Sequence, residues 1–267
     1  MPGLGGSMAN RVVIDPGHGG FDSGAVYGDR YEKNDNLNLA LAVGEILAQN
    51  GVEVLYTRMD DSYLSPLRRV HTANAENADL FISLHRNSSP LPNTYSGVET
   101  LIYDEEGIKP AAADIINREL VKVGFHNLGV DIRKDLPVLR RTNMPALSIN
   151  AGFINTEIDN IIFDNQFDGI ANGIANGILE TLEIMNETVN STHTYRVQVG
   201  LFRVLTNAVN LQYQLSLLGY EPLILPQGDL YAVQIGELPS LDQAVILEQE
   251  LKRLGYNTLI VRYDKSV

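Results

Sequence analysis

The sequence predicts two α/β units. A three-layer α/β domain with a central, mostly parallel sheet is expected over residues 9–185. A small split-βαβ domain follows over 195–263, and a linker over 186–194 joins the two. Three observations carry this reading. In the first two thirds of the chain, short buried strands alternate with helical periodicities, the pattern of strands joined by crossover helices. In the last third, Tyr195-Arg-Val-Gln-Val-Gly200 returns as Tyr231-Ala-Val-Gln-Ile-Gly236. The same offset of 36 residues relates Leu215 to Leu251 and Gly219-Tyr220 to Gly255-Tyr256. Charge also divides near the linker: residues 1–190 carry 14 basic and 26 acidic side chains, whereas 191–267 carry 6 and 7.

The elements follow in order. Residues 11–14 (Arg-Val-Val-Ile) form a short buried strand that Asp-Pro-Gly ends. Residues 35–49 are a helix, because Leu37, Ala40, Leu41, Gly44, Ile46 and Leu47 recur at helical intervals and Gly51 stops them. A strand at 52–57, a helix at 67–77 and a buried strand at 79–84 come next. The apolar segments 98–103, 111–123, 138–139, 146–149 and 167–183 continue the alternation, with 136–139 read as extended. The stretch from Asn186 to Thr194 is polar and lacks periodicity, hence the linker. Beyond it, each repeat reads as an alternating strand, a helix, and a Gly-Tyr exit into a second strand at 222–225 or 258–261. Two such units are too small to stand apart, so they share a four-stranded sheet with helices on one face and the other face open to a ligand.

Composition narrows the function. Lys plus Arg total 20 against 33 acidic residues, a net charge of −13, which repels phosphate backbones and excludes nucleic acid as a partner. The absence of Cys removes disulfides, thiolate nucleophiles and Cys-type zinc sites. No apolar run reaches the roughly 20 residues of a membrane helix, so no integral membrane segment is expected. The first eight residues, Met1 to Met8, have neither a basic nor an apolar core. They read as a cloning remnant ahead of a natural Met8, without a signal peptide. The protein is therefore expected to accumulate in the cytoplasm, or to be secreted if a leader has been removed.

Ligands of open α/β sheets gather at the carboxyl ends of strands. His18, in Asp15-Pro-Gly-His-Gly-Gly20, and His85, in Leu80-Phe-Ile-Ser-Leu-His-Arg-Asn87, both lie there, and Glu32 enters the first helix. Two imidazoles and a carboxylate from three loops suit Zn²⁺ with a fourth position left to water, a catalytic arrangement. A plain glycine turn and a helix-entry carboxylate are the alternative. His71, His126 and His193 read as structural.

These motifs are joined in order by Glu32-Lys33, Thr57-Arg58, Leu67-Arg68, Ala73-Asn74, Gly97-Val-Glu-Thr100, Leu136-Pro-Val-Leu-Arg140, Pro145-Ala146 and Gly152-Phe-Ile154. Over residues 10 to 183 the chain resembles the zinc-dependent N-acetylmuramoyl-L-alanine amidases of the type 3 family. The repeat resembles the SPOR domain, a ferredoxin-like module that binds peptidoglycan, especially glycan strands stripped of stem peptides. The pairing resembles sporulation autolysins and phage endolysins. The resemblance implies Zn²⁺ on His18, Glu32 and His85. It also implies hydrolysis of the amide between the lactyl group of N-acetylmuramic acid and L-Ala of the stem peptide.

The chain departs from that pattern at one place. Where the family carries its catalytic glutamate, two residues before Gly-Phe-Ile, this chain has Asn150. An amide accepts no proton at neutral pH. Three readings stand open. Another carboxylate such as Glu99 transfers the proton, or Asn150 is an inactivating engineered change, or the protein is a catalytically weak zinc-bearing wall binder. Glu99 could equally anchor a neighbouring loop. Arg140, expected at the same sheet edge, is a candidate for a stem-peptide carboxylate or for a surface ion pair. Asn87 is a candidate for supporting a ligand or touching glycan. Gln198 and Gln234 are candidates for glycan contacts on the open sheet, or ordinary solvent-facing positions.

Overall fold

The computed structural model describes residues 10–190 and 193–264. The segment ahead of Met8, read above as a remnant, lies outside the described residues. The chain divides into two compact units, residues 1–182 and 183–267.

In chain order the first unit contains β1 (Arg11–Pro16), β2 (Val26–Tyr27), β3 (Arg30–Tyr31), α1 (Glu32–Gln49), β4 (Glu53–Tyr56), α2 (Pro66–Ala75) and β5 (Leu80–Asn87). There follow β6 (Val98–Ile102), α3 (Lys109–Lys122), β7 (Asn127–Ile132), α4 (Pro137–Arg140), β8 (Ala146–Phe153), α5 (Glu157–Asn165) and α6 (Phe167–Asn190), of which residues 167–182 belong to this unit. Six strands form one sheet in the order β4-β1-β5-β8-β6-β7. The first four run parallel. β6 pairs with β8 in the antiparallel sense and with β7 in the parallel sense, so the sheet is mixed but mostly parallel.

Both faces of this sheet are covered, which explains why its central strands read as continuous apolar runs rather than alternations. On one face Val13, Phe81 and Ala146 pack with Ala73 of α2 and Leu139 of α4. Because side chains alternate along a strand, Val12 and Ile14 point to the other face, against which α1 and α3 lie. Val12, Ile14, Ile82, Leu84, Leu147 and Ile149 are fully buried, each contributing about 1.5–3 kcal/mol by leaving water.

Three sequence expectations change. The extended reading of 136–139 is wrong: Pro137 opens a helical turn in which Arg140 N and Arg141 N donate to Leu136 O and Pro137 O. Proline suits the first helical position, where its missing N–H costs nothing. Helix α1 begins at Glu32 rather than at 35. The polar stretch read as a linker is helix up to Asn190 and strand from His193. Ile170, Ile174, Ile178 and Leu182 keep a four-residue repeat along α6, and no Gly or Pro follows Gly177 to end it. Polarity alone does not stop a helix.

The second unit contains β9 (His193–Phe202), α7 (Leu205–Leu217), β10 (Pro222–Gln227), β11 (Leu230–Leu238), α8 (Leu241–Arg253) and β12 (Leu259–Asp264). Its strands pair antiparallel in the order β10-β11-β9-β12. The two repeats thus interlock, and their first strands meet at the centre, where Gln198 and Gln234 stand opposite each other. Val197, Val199, Val233 and Ile235 face Ala208 and Leu215 of α7 and Leu251 of α8, so both helices cover one side of the sheet.

Candidate metal centre

The parallel strands β1 and β5 end side by side, and the chain turns sharply after each. Past β1, the carbonyls of Pro16, Gly17 and His18 are all directed into protein, where two buried guanidinium groups cap them. Arg58 donates to Pro16 O at 3.0 Å and Gly17 O at 2.9 Å. Arg69 donates to Pro16 O at 2.6 Å, to His18 O at 2.7 Å and to Asp15 Oδ1 at 2.7 Å. Asp15 also accepts from Ser83 and Thr57. With its carbonyls fixed beneath, the loop holds His18 at φ 61° and presents its imidazole on top. His18 Nδ1 lies 2.9 Å from Asp22 Oδ2, which leaves Nε2 for the site. A carboxylate on the second nitrogen fixes both the ring plane and the tautomer of a metal-binding histidine.

Glu32, the first residue of α1, is buried between the two histidines. Its Oε1 lies 2.9 Å from His85 Nδ1 and accepts from Arg86 N at 3.1 Å. Its Oε2 lies 3.2 Å from His18 Nε2 and accepts from Ala25 N at 2.9 Å. One donor atom from each of His18, Glu32 and His85 lies within 4.8 Å of the others. A small divalent cation bound tetrahedrally at about 2.0–2.1 Å needs donors about 3.3 Å apart, and the two carboxylate–imidazole distances, 3.2 and 2.9 Å, are close to that.

The backbone is cut away around the cluster. A Cβ on Gly17 would lie 2.2 Å from His85 Cε1, and one on Gly24, where φ is +65°, would lie 2.6 Å from both Glu32 Oε2 and His18 Cδ2. The donor set and this cradle fit a metal ion. Burial alone would raise the Glu32 pKa, yet the adjoining His18 and His85 hold it far below the ordinary carboxylate range. Burial would lower His18, but Glu32 and Asp22 reverse that and raise it. An anionic carboxylate between two imidazoles is a centre prepared for a cation.

A second cluster adjoins it across the sheet. Register places His85 beside Asn150, and Asn150 beside Glu99. Paired residues in neighbouring strands project to the same face, about 4.8 Å apart. Asn150 Nδ2 donates to Glu99 Oε1 at 2.9 Å, and Asn87 Nδ2 donates to the same oxygen at 2.6 Å. Among the described residues, Glu99 Oε2 makes no hydrogen bond. Asn87 is thus a support for Glu99.

Two expected residues lie elsewhere. Arg140 closes α4 and lines a cavity with Tyr103, Lys109, Thr142 and Pro145, at the start of β8. Asn150 is four residues further along β8, about 13 Å at 3.3 Å per residue, so Arg140 stands at the opposite edge of the sheet. The expectation that it shares the histidines' edge is corrected: it rested on reading 136–139 as a strand. In the second unit, Gln234 is fully buried. It donates to Gln198 Oε1 at 3.2 Å and accepts from Tyr263 Oη at 2.9 Å. Gln234 is therefore not solvent-facing and lies out of a sugar's reach, while Gln198 is half-buried.

The sequence motifs assign no role to Asp22, Arg58, Arg69 or Arg86. The spacing of four between His18 and Asp22 was the available signal for the first. Arg86 follows His85 with its side chain buried, paired to Asp35 at 2.6 Å and lying 4.0 Å from the Phe163 ring centroid. Burial pushes its pKa down to about 10.

Comparison with known proteins agrees with this geometry. The family described as N-acetylmuramoyl-L-alanine amidase matches residues 12–180, and the SPOR domain family matches 191–262. The sporulation-specific N-acetylmuramoyl-L-alanine amidase of Bacillus subtilis (strain 168) is 34% identical over 220 residues, covering 80% of this chain and 84% of the relative. An N-acetylmuramoyl-L-alanine amidase structure from Clostridium difficile 630 matches at TM-score 0.63 and 34% identity, over 66% of this chain and 98% of that one. The catalytic domain of CwlV, from Bacillus (Paenibacillus) polymyxa var. colistinus, matches at TM-score 0.61 and 36% identity, over 66% and 99%. The reading of a catalytically weak wall binder gains no support over a hydrolase from these relatives.

Proposed function

The chain belongs to the N-acetylmuramoyl-L-alanine amidase family and carries a SPOR domain, and we propose that its catalytic domain, over residues 9–185, works as a zinc hydrolase with Glu99 as its proton carrier. It is a cell-wall amidase that hydrolyses the bond between N-acetylmuramic acid and L-alanine in peptidoglycan. No helix among the described residues is long and apolar enough to cross a membrane.

In this reading His18, Glu32 and His85 hold Zn²⁺. When bound, zinc supplies a Lewis acid for the amide carbonyl and a water whose pKa falls from about 15.7 towards 7. Asp22 and Arg69 keep His18 aimed at the ion, and Arg86, next to His85, ties the end of β5 to Asp35 and to the carbonyls of Gly152 and Phe153. Asn150 neither accepts nor releases a proton. It fixes Glu99 Oε1 through Nδ2 and leaves Oδ1 to align the attacking water. Glu99 takes the water's proton at Oε2 and returns it to the departing amine of L-alanine. General acid–base transfer of this kind is worth about 10²–10⁴ in rate.

The observation that carries the proposal is the row His85, Asn150 and Glu99, with the carboxylate held by two amides beside the metal ligands. The SPOR domain, over residues 195–263, directs the enzyme to glycan strands stripped of stem peptides, with Gln198 as a polar contact on its sheet. Digestion of purified walls tests the chemistry. New L-alanine amino termini are expected in the soluble peptides, lost on chelation and regained with zinc. Peptide release that survives complete metal removal would overturn the assignment.

A further inference from the structure

Phe21 is 84% exposed, the most exposed of the large hydrophobic side chains in the described residues, although it stands three residues from His18. It does not hang from a loose loop. Gly19 and Asp22 bond each other at both ends of the turn, N to O at 2.9 and 3.2 Å, so Phe21 sits at the tip of a closed hairpin. Gly20 N donates to Asp61 Oδ1 at 2.8 Å, and Lys33 Nζ ties Gly20 O to Asp61 Oδ2 at 2.9 and 2.6 Å. The Phe21 ring leans on Tyr63, itself 40% exposed, with centroids 4.1 Å apart and planes tilted by 32°. An apolar ring held rigidly in water, next to a site, is a binding surface held ready at little entropic cost.

Sheet order says which half of the substrate meets it. The scissile amide has a sugar on its acyl side and a peptide on its amine side. On the proton-transfer reading above, on which this inference rests, the leaving amine must lie towards Glu99 on β6. The acyl half then points across β5 to the other flank. The order β4-β1-β5-β8-β6 puts the loops after β1 and β4 on that flank, and these carry Phe21 and Tyr63.

We propose that Phe21 and Tyr63 form the subsite for the pyranose ring of the N-acetylmuramic acid whose lactyl amide is cleaved. The apolar C–H face of the sugar lies on the Phe21 ring. The Asp61 carboxylate, 53% exposed beside it, accepts from the sugar's hydroxyl or acetamido groups.

The metal-loaded full chain tests this with two soluble substrates: an N-acetylmuramoyl peptide, and the same peptide bearing only a lactoyl group. The readout is the ratio of their kcat/KM values. Phe21→Ala is expected to reduce the preference for the sugar-bearing substrate about three- to tenfold, chiefly through KM, as loss of one aromatic contact implies. Phe21→Trp should keep it, and zinc content should be equal in all variants. Should the lactoyl peptide turn over too slowly, the same comparison is made with the inhibition constant of free N-acetylmuramic acid, which should rise by a like factor. An unchanged preference or inhibition constant in Phe21→Ala overturns the subsite. So does a loss produced instead by Tyr95→Ala, an exposed aromatic outside this flank. Glu99→Gln should slow both substrates alike. If it slows neither, the proton-transfer reading fails, while a selective Phe21 effect would still stand.

Discussion

Replacing Gly17 by alanine perturbs the metal centre without touching a ligand. The added Cβ would lie 2.2 Å from His85 Cε1, 2.5 Å from Nε2 and 2.6 Å from Nδ1. Ordinary contact begins near 3.4 Å, so the ring must withdraw by about 1.2 Å if the backbone stays fixed. Metal sites tolerate ligand displacements of about 0.2 Å. The withdrawal is therefore several times too large for His85 to stay bound. Losing partners that merely orient ligands already costs 10–100-fold in affinity. Zinc affinity in Gly17→Ala should fall at least about 100-fold. Folding should survive, since Gly17 is not among the positive-φ glycines and overpacking typically costs about 1–3 kcal/mol. Competition dialysis against a chelator, with zinc counted per chain and thermal unfolding recorded beside it, measures both. Gly28→Ala is the control: its φ is +60°, but a Cβ there meets nothing within 4 Å. Wild-type zinc affinity in Gly17→Ala would refute the cradle.

Other substitutions separate the roles. Glu99→Gln preserves shape and should lower kcat by about 10²–10⁴ with zinc content unchanged, measured on a soluble muramoyl peptide. Asn150→Glu puts a carboxylate one strand nearer His85 and should raise turnover at least about tenfold. In that background Glu99→Gln should lose most of its effect, a coupling that a double-mutant cycle reads directly. A lower rate with zinc retained would refute the assignment of Asn150. The metal-free protein should also show a pH signature. The depressed Glu32 pKa adds stability that is present above about 4.3 and lost as pH falls. The raised His18 pKa adds stability that is present below about 6.5 and lost as pH rises through its folded value. The difference in Tm between wild type and Glu32→Gln should therefore be greatest between about pH 4.3 and 6.5 and shrink on both sides.

Much of this is legible in the sequence alone. His18, Glu32 and His85 announce themselves because each sits at a strand end or helix entry, positions fixed by local periodicity. The doubled strand–helix–strand pattern gives the second unit its interlocked sheet, since an offset of 36 residues survives any packing. The partnership of Glu99 with Asn150 and Asn87 was not legible. It depends on β6 entering the sheet antiparallel beside β8, a choice made by tertiary pairing that no local signal records. Arg140 was misplaced for a related reason. A four-residue apolar run headed by proline fits a strand or a helical turn equally, and the choice moves its last residue to the other edge of the sheet. Gln234 looked like a solvent-facing strand position, but Gln198 and Tyr263 enclose it through register with two other strands.

The central claim is that one metal ion, held by His18, Glu32 and His85, is what the amidase needs in order to work. Titration of zinc into the metal-stripped chain, with release of stem peptides from purified walls recorded at each addition, tests it most directly. The account predicts no release at the start, a linear rise and a break at one ion per chain. Full release before any zinc is added, or a break that persists unchanged in His85→Ala, would contradict it.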